Sequence, residues 1–193
     1  MKYFLAIIGG GPAGYTAAEI ASKAGKDVVI FEQTALGGTC LNVGCIPTKT
    51  LLYSAKQYYN ATHADKYGVK AEGVSFDYAK IVQRKMKVVR KLVAGIKQKL
   101  NNEHCTVIMG AASVVSRTDE NVVIACGEEQ YEAENLLICT GSNNFVPPIP
   151  GVKDNPAIWD STMALDSKEL PQSMIIVGGG VIGMEFATLY HEL

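Results

Sequence analysis

Cys40 and Cys45, in the run from Gly37 to Lys49 (GGTCLNVGCIPTK), are the residues of this chain best suited to chemistry. Two thiols at this spacing can carry an electron pair as a dithiol–disulfide couple. As a structural staple the bridge would close a very short loop and remove only roughly 2 kcal/mol of unfolded-state entropy. Two unpaired core cysteines are the competing reading. Local features favour the redox pair. A helix beginning near Pro47 would bring its positive end to the thiols and favour thiolate. Gly37, Gly38 and Gly44 would let the backbone pass close to a flat ring.

Elements that could position such a ring lie upstream. Tyr3 to Ile8 is an apolar run of strand length, followed by Gly9-Gly10-Gly11-Pro12-Ala13-Gly14 and a small-residue helical stretch from Ala13 to Ala24. Asp27 to Phe31 reads as a second buried strand ending in Glu32, with Gln33 after it. Strand, glycine turn, helix and strand make a βαβ unit and so a parallel sheet. In the GxGxxG pattern Gly9 permits the tight turn, Gly11 lets the backbone approach a pyrophosphate, and Gly14 lets helix and strand pack closely. The helix start supplies the positive dipole end, and Glu32 is placed to accept hydrogen bonds from ribose hydroxyls.

Beyond the cysteines, Thr50 to Ala64 and Asp77 to Leu100 read as helices. The second carries an apolar stripe of Tyr78, Val82, Met86, Val89, Val93, Ile96 and Leu100 at helical spacing. It also holds Lys80, Arg84, Lys85, Lys87, Arg90, Lys91, Lys97 and Lys99, read as a solvated face. Short strands are expected at Thr106–Met109, Ser113–Ser116, Val122–Cys126 and Leu136–Cys139. Phe145 to Gly151 (FVPPIPG) is a stiff connector and the best domain boundary. The glycine fingerprint then recurs from Ile175 to Gly183, with Gly178, Gly180 and Gly183 in the three glycine roles and a strand expected before them. The chain reaches Leu193 inside the helix that follows, which reads as part of a longer protein.

Composition adds bounds. A formal charge of −1 over 193 residues gives no electrostatic reason to expect nucleic acid or a membrane surface as partner. The apolar start runs into the glycine turn too soon for a signal peptide, no stretch is long enough to span a bilayer, and a cytoplasmic location is expected. Cys105, Cys126 and Cys139 read as small buried hydrophobes. His63, His104 and His191 are scattered, and no metal site is expected.

GGTCLNVGCIPTK resembles the active-site segment of the flavin-dependent pyridine nucleotide–disulfide oxidoreductases. The likeness extends to both fingerprints, Glu32, the Leu136–Gly141 segment (LLICTG), the proline connector and Glu185. It implies an α/β fold. Residues 1–146 would form a Rossmann-like FAD-binding domain with a parallel sheet and a smaller β-meander, and 147–193 the connector and truncated start of a second, NAD-binding Rossmann-like domain. Ile46-Pro47-Thr48-Lys49 and Val181 are similar to the dihydrolipoyl dehydrogenases within the family, with the glutathione and mercuric reductases as alternatives. A fragment that only holds FAD is a further one.

The resemblance implies that Cys40 is the interchange thiol and Cys45 the thiol against the flavin. Lys49 would lie near the flavin ring as a buried lysine paired with Glu185. Gly9, Gly11, Pro12, Ala13, Gly14, Glu32, Gln33, Gly37, Gly38, Thr39, Cys40 and Lys49 would contact the flavin nucleotide. Gly110 and Ala112 would lie near its adenine, and Thr140 and Gly141 nearer the flavin. Gly178, Gly180 and Gly183 would serve NAD. The implied reaction is oxidation of dihydrolipoamide, carried by the lipoyl domain of a 2-oxoacid dehydrogenase or glycine cleavage complex, by a homodimer. The family's histidine base belongs to a C-terminal interface domain that none of the three histidines matches, so the chain alone is expected not to turn over.

Overall fold

The computed structural model describes residues 2–193. Contacts divide the chain into two compact units, one formed by the chain up to Asn42 with Lys91–Asn143, the other by Val43–Arg90 with Asn144–Leu193.

In the first unit the βαβ expectation is met. β1 (Lys2–Ile8), α1 (Pro12–Lys23) and β2 (Val28–Glu32) follow one another, and β1 and β2 pair in parallel with Ile8 opposite Phe31. β2 is buried along its whole length, as its unbroken apolar run requires of a strand covered on both faces. Full burial of each large side chain there contributes roughly 1.5–3 kcal/mol.

β3 (Cys105–Met109) flanks β2 in parallel, while β4 (Ala112–Arg117), β5 (Val122–Cys126) and β6 (Glu129–Ile138) form an antiparallel meander. The meander belongs to the same six-stranded sheet, in the order β3-β2-β1-β6-β5-β4. β6 joins the two parts. Its first residues pair with β5 and its later ones run parallel to β1, ending with Ile138 opposite Ile8. Tyr3, Ala6, Val29, Phe31, Val122, Ile124 and Ala133 form the core of this unit.

The second unit is helical. α3 (Cys45–Thr62), α5 (Ser161–Asp166) and α6 (Val181–Glu192) close on Leu51, Ala55, Ala164, Leu165, Phe186 and Leu189. α3 begins at Cys45, close to the start expected near Pro47 and five residues before Thr50; Pro47 falls in the first turn, where its missing N–H costs nothing. α4 (Tyr78–Leu100) passes from this unit into the first.

Two residues of α4 depart from the expected stripe. Met86 is exposed, and Lys85, read as part of a solvated face, is buried. The reason is a partner distant in sequence. Lys85 Nζ donates to the Leu165 carbonyl at 2.6 Å, near the C-terminal end of α5, where a cation is favoured. Burial pushes the Lys85 pKa down, partly opposed by the Asp166 carboxylate. Ile175–Val177, expected as a strand, lies in none. A strand needs a neighbour to satisfy its backbone, and Ile175 and Val177 are exposed. No helix is long and apolar enough to cross a membrane among the described residues.

Candidate functional site

The parallel strands β1, β2, β3 and β6 all end at one edge of the sheet, and the expected nucleotide-binding residues of the first unit lie on the segments that follow them. β1 is the strand at which the connections reverse direction, with β2 on one side and β6 on the other. Open α/β sheets bind ligands at the carboxyl ends of strands beside such a switch point.

The turn after β1 is shaped by its glycines. Gly9 has φ +108°, and a Cβ there would lie 2.2 Å from the Cys139 carbonyl oxygen just past β6. A Cβ on Gly14 would lie 1.8 Å from the Gly9 carbonyl oxygen, so only glycine lets α1 start this close to β1. At Gly11, by contrast, no atom comes nearer than 3.7 Å to an added Cβ, and this open side is where a phosphate could approach. α1 begins at Pro12 with no acidic residue in its first turn and no side-chain cap, leaving its first N–H groups directed outward.

Glu32 ends β2 and is 7% exposed. Its Oε2 accepts from the Gly10 N–H at 2.8 Å, and its Oε1 from the Thr34 N–H at 2.7 Å and hydroxyl at 2.8 Å. Burial pushes its pKa up, but the hydrogen bonds from Thr34 and Gly10 more than reverse this and hold it below its ordinary value. A carboxylate has about four acceptor positions, and a ribose hydroxyl would share them with these donors and the Ala35 N–H. Gly110, after β3, donates to the Glu32 carbonyl at 2.8 Å. Ala112 opens β4 opposite Cys126. Thr140 and Gly141 follow β6 and are exposed, as are Gln33 and Thr39.

Gly37 donates to the Gly10 carbonyl at 2.8 Å, docking the next segment on the turn. Gly37 and Gly38 have φ +101° and +57°, and a Cβ on Gly38 would lie 2.7 Å from Gly11 Cα. These glycines lead into a short helix the sequence reading did not anticipate, α2 (Gly38–Val43), which carries Cys40. The open approach at Gly11, the acceptor at Glu32 and the bare start of α1 fit the diphosphate and ribose of a dinucleotide.

In the second unit, Cys45 is the first residue of α3 and is exposed. Packing of α3 on α6 sets Lys49 against Glu185, Nζ to Oε1 at 2.5 Å. The pair is as expected, but the burial is not: the Lys49 side chain is 59% exposed, because it points off α3 away from the face that buries Thr48, Thr50 and Leu51. The second fingerprint repeats the first in detail. Gly178 has φ +109°, Gly180 caps α6 in the same extended conformation as Gly11 caps α1, and a Cβ on Gly183 would lie 2.4 Å from the Gly178 carbonyl oxygen.

Cys105, Cys126 and Cys139 are half-buried rather than buried, since each sits at or just beyond a strand end. Thr34 and Asn42 are the side chains at this edge that the sequence reading missed. Both act on backbone or carboxylate partners, which leaves no mark in residue spacing.

The pyridine nucleotide-disulphide oxidoreductase family model matches residues 3–193. This chain belongs to that family. Flavin and pyridine nucleotide are the family's cofactors. Among curated family members, the dihydrolipoyl dehydrogenase of Bacillus subtilis is 44% identical over 98% of this chain and 42% of its own length. That of Chlamydia muridarum is 42% identical over 97% and 40%. Among solved family structures, the HOCl-induced flavoprotein disulfide reductase of Escherichia coli superposes with a TM-score of 0.81 at 37% identity, covering 98% of this chain and 40% of that one. The chain thus spans about 40% of the length of the relatives it matches.

Proposed function

We propose that this chain is the flavin-binding, thiol-bearing part of a dihydrolipoyl dehydrogenase. Residues 1–146 would form its FAD-binding domain, and 147–193 the connector and start of its NAD-binding domain. The observation that carries the reading is the glycine turn at the end of β1, with buried Glu32 held against it and the Cys40 helix docked on it. FAD, when bound, supplies an acceptor for an electron pair.

The chain's own residues do the rest. The Ala13 and Gly14 N–H groups at the start of α1 receive a phosphate, and Glu32 accepts from ribose hydroxyls. A substrate thiolate attacks Sγ of Cys40 in the Cys40–Cys45 disulfide. The S–S bond breaks, and Cys45 leaves as thiolate with its electron pair. The second substrate thiol then loses its proton and displaces Cys40, giving the cyclic disulfide. Two electrons now reside on the cysteine pair, and two protons have left the substrate. Lys49, oriented by Glu185, contributes a positive charge on the Cys45 helix. Substrate presented on a lipoyl domain, a homodimer, NAD as final acceptor and a cytoplasmic setting complete the proposal.

The curated names at 42–44% identity support dihydrolipoamide. The likeness to the Escherichia coli reductase favours a second reading, a disulfide reductase of other specificity. The full-length protein decides between them. NAD reduction with dihydrolipoamide at least a hundredfold faster than NADPH oxidation with glutathione disulfide supports the first. The reverse ratio overturns it.

A further inference from the structure

Resting on the reading of Cys40 as a redox thiol, we propose that Asn42 is a positioning residue that clamps the Cys40 helix onto the glycine turn. α2 is six residues long, too short to hold its shape unaided. The backbone bonds that tie it to the preceding turn are long: Leu41 N–H to the Gly37 carbonyl is 3.4 Å, and Gly38 N–H to the Ala35 carbonyl is 3.3 Å. The two glycines that lead in, Gly37 and Gly38, are both at positive φ and would otherwise leave the segment pliable.

The Asn42 side chain supplies what the backbone lacks. Nδ2 donates to the Leu36 carbonyl at 3.1 Å and to the Gly38 carbonyl at 3.0 Å. Both partners are acceptors, which fixes the amide orientation. One acceptor precedes the helix and the other opens it, so the amide ties the last turn back across the loop. Cys40 lies between the tie points. Leu41, buried against Gly37, holds the same loop from its apolar side. Gly37 in turn donates to Gly10, so the clamp runs from Asn42 into the cofactor turn. Asparagine is the fitting residue: aspartate would set oxygen against two carbonyls, and alanine offers no donor.

A thiol held in place closes a disulfide ring at higher effective concentration than a loose one. The test is the dithiol–disulfide equilibrium of Cys40 and Cys45 in the full-length holoprotein. It is poised in glutathione buffers, with thiols trapped by alkylation and mapped by mass. Two lost hydrogen bonds predict that Asn42→Ala and Asn42→Asp each shift the equilibrium roughly tenfold toward the dithiol, about 30 mV. Both variants within twofold of the parent equilibrium overturn the proposal. So does loss of fold in both, which would make Asn42 a general stability residue. A parent protein with no reversible couple overturns the redox reading and this inference together; a normal parent with unchanged variants overturns this inference alone.

Discussion

Alanine at Gly14 should damage the nucleotide cradle, while alanine at its counterpart Gly183 should be tolerated. The added methyl at Gly14 would lie 1.8 Å from the Gly9 carbonyl oxygen and 3.2 Å from Ile7 Cγ2. Relief needs a movement of about 1.2 Å between α1 and the turn, and neither side yields easily. Gly9 is pinned by its N–H bond to the Phe31 carbonyl at 2.8 Å and by the Cys139 carbonyl beside it. Ile7 is fully buried within a paired strand. Overpacking of this kind costs about 2–3 kcal/mol, which for a chain of this size lowers Tm by roughly 5–10 °C. FAD affinity should fall with it, since the N–H groups at the start of α1 move.

At Gly183 the corresponding distance is 2.4 Å, and the segment before it lies in no strand, so the turn can open. The cost there should stay below about 1 kcal/mol. Urea denaturation of the two variants, with flavin fluorescence quenching for affinity, measures both effects. Equal costs at the two sites, or a Gly14→Ala variant as stable as the parent, would refute the reasoning.

Thr34→Val removes one hydroxyl bond that orients Glu32 and should weaken FAD binding roughly fivefold, whereas Thr34→Ser should bind as the parent does; fluorescence titration separates them. Glu185→Gln should cost no more than about 1 kcal/mol in denaturant unfolding, because the pair with Lys49 is solvent-accessible. Acid should destabilise the fold in a defined window. The pKa of Glu32 is lowered from 4.5 by the bonds that outweigh its burial, and that of Glu19 from 4.5 by Lys23 and Lys99. The unfolded chain therefore takes up these protons first. Stability should be level above about pH 5 and fall as pH drops through the lower folded values. Urea midpoints between pH 6 and pH 3 check the sign, and a midpoint that rises on acidification contradicts it.

The parts of the fold legible in the sequence are those set by local pattern. The Tyr3–Ile8 run, the glycine turn and the apolar strand ending in Glu32 could be read directly, because helix, turn and strand each carry their own residue signature. The pairing of Lys49 with Glu185 was legible only as what the family resemblance implies. What could not be read depends on partners distant in sequence. Lys85 is buried because its ammonium finds the Leu165 carbonyl, and nothing in the helical pattern of α4 signals that. Ile175–Val177 has the residues of a strand but no neighbour to pair with. The Asn42 bonds are aimed at backbone carbonyls, which any residue can offer, and the Thr34 bonds depend on the turn after β2 folding back on Glu32, so composition reveals neither.

In the proposed function Cys40 and Cys45 act as a couple beside a bound flavin, with separate roles for the two sulfurs. Anaerobic titration of the full-length protein with a dithiol, followed by visible absorption, tests this most directly. A long-wavelength thiolate-to-flavin charge-transfer band should appear on reduction, persist in Cys40→Ser, and vanish in Cys45→Ser. A band that survives Cys45→Ser, or no band in the parent protein, would contradict it.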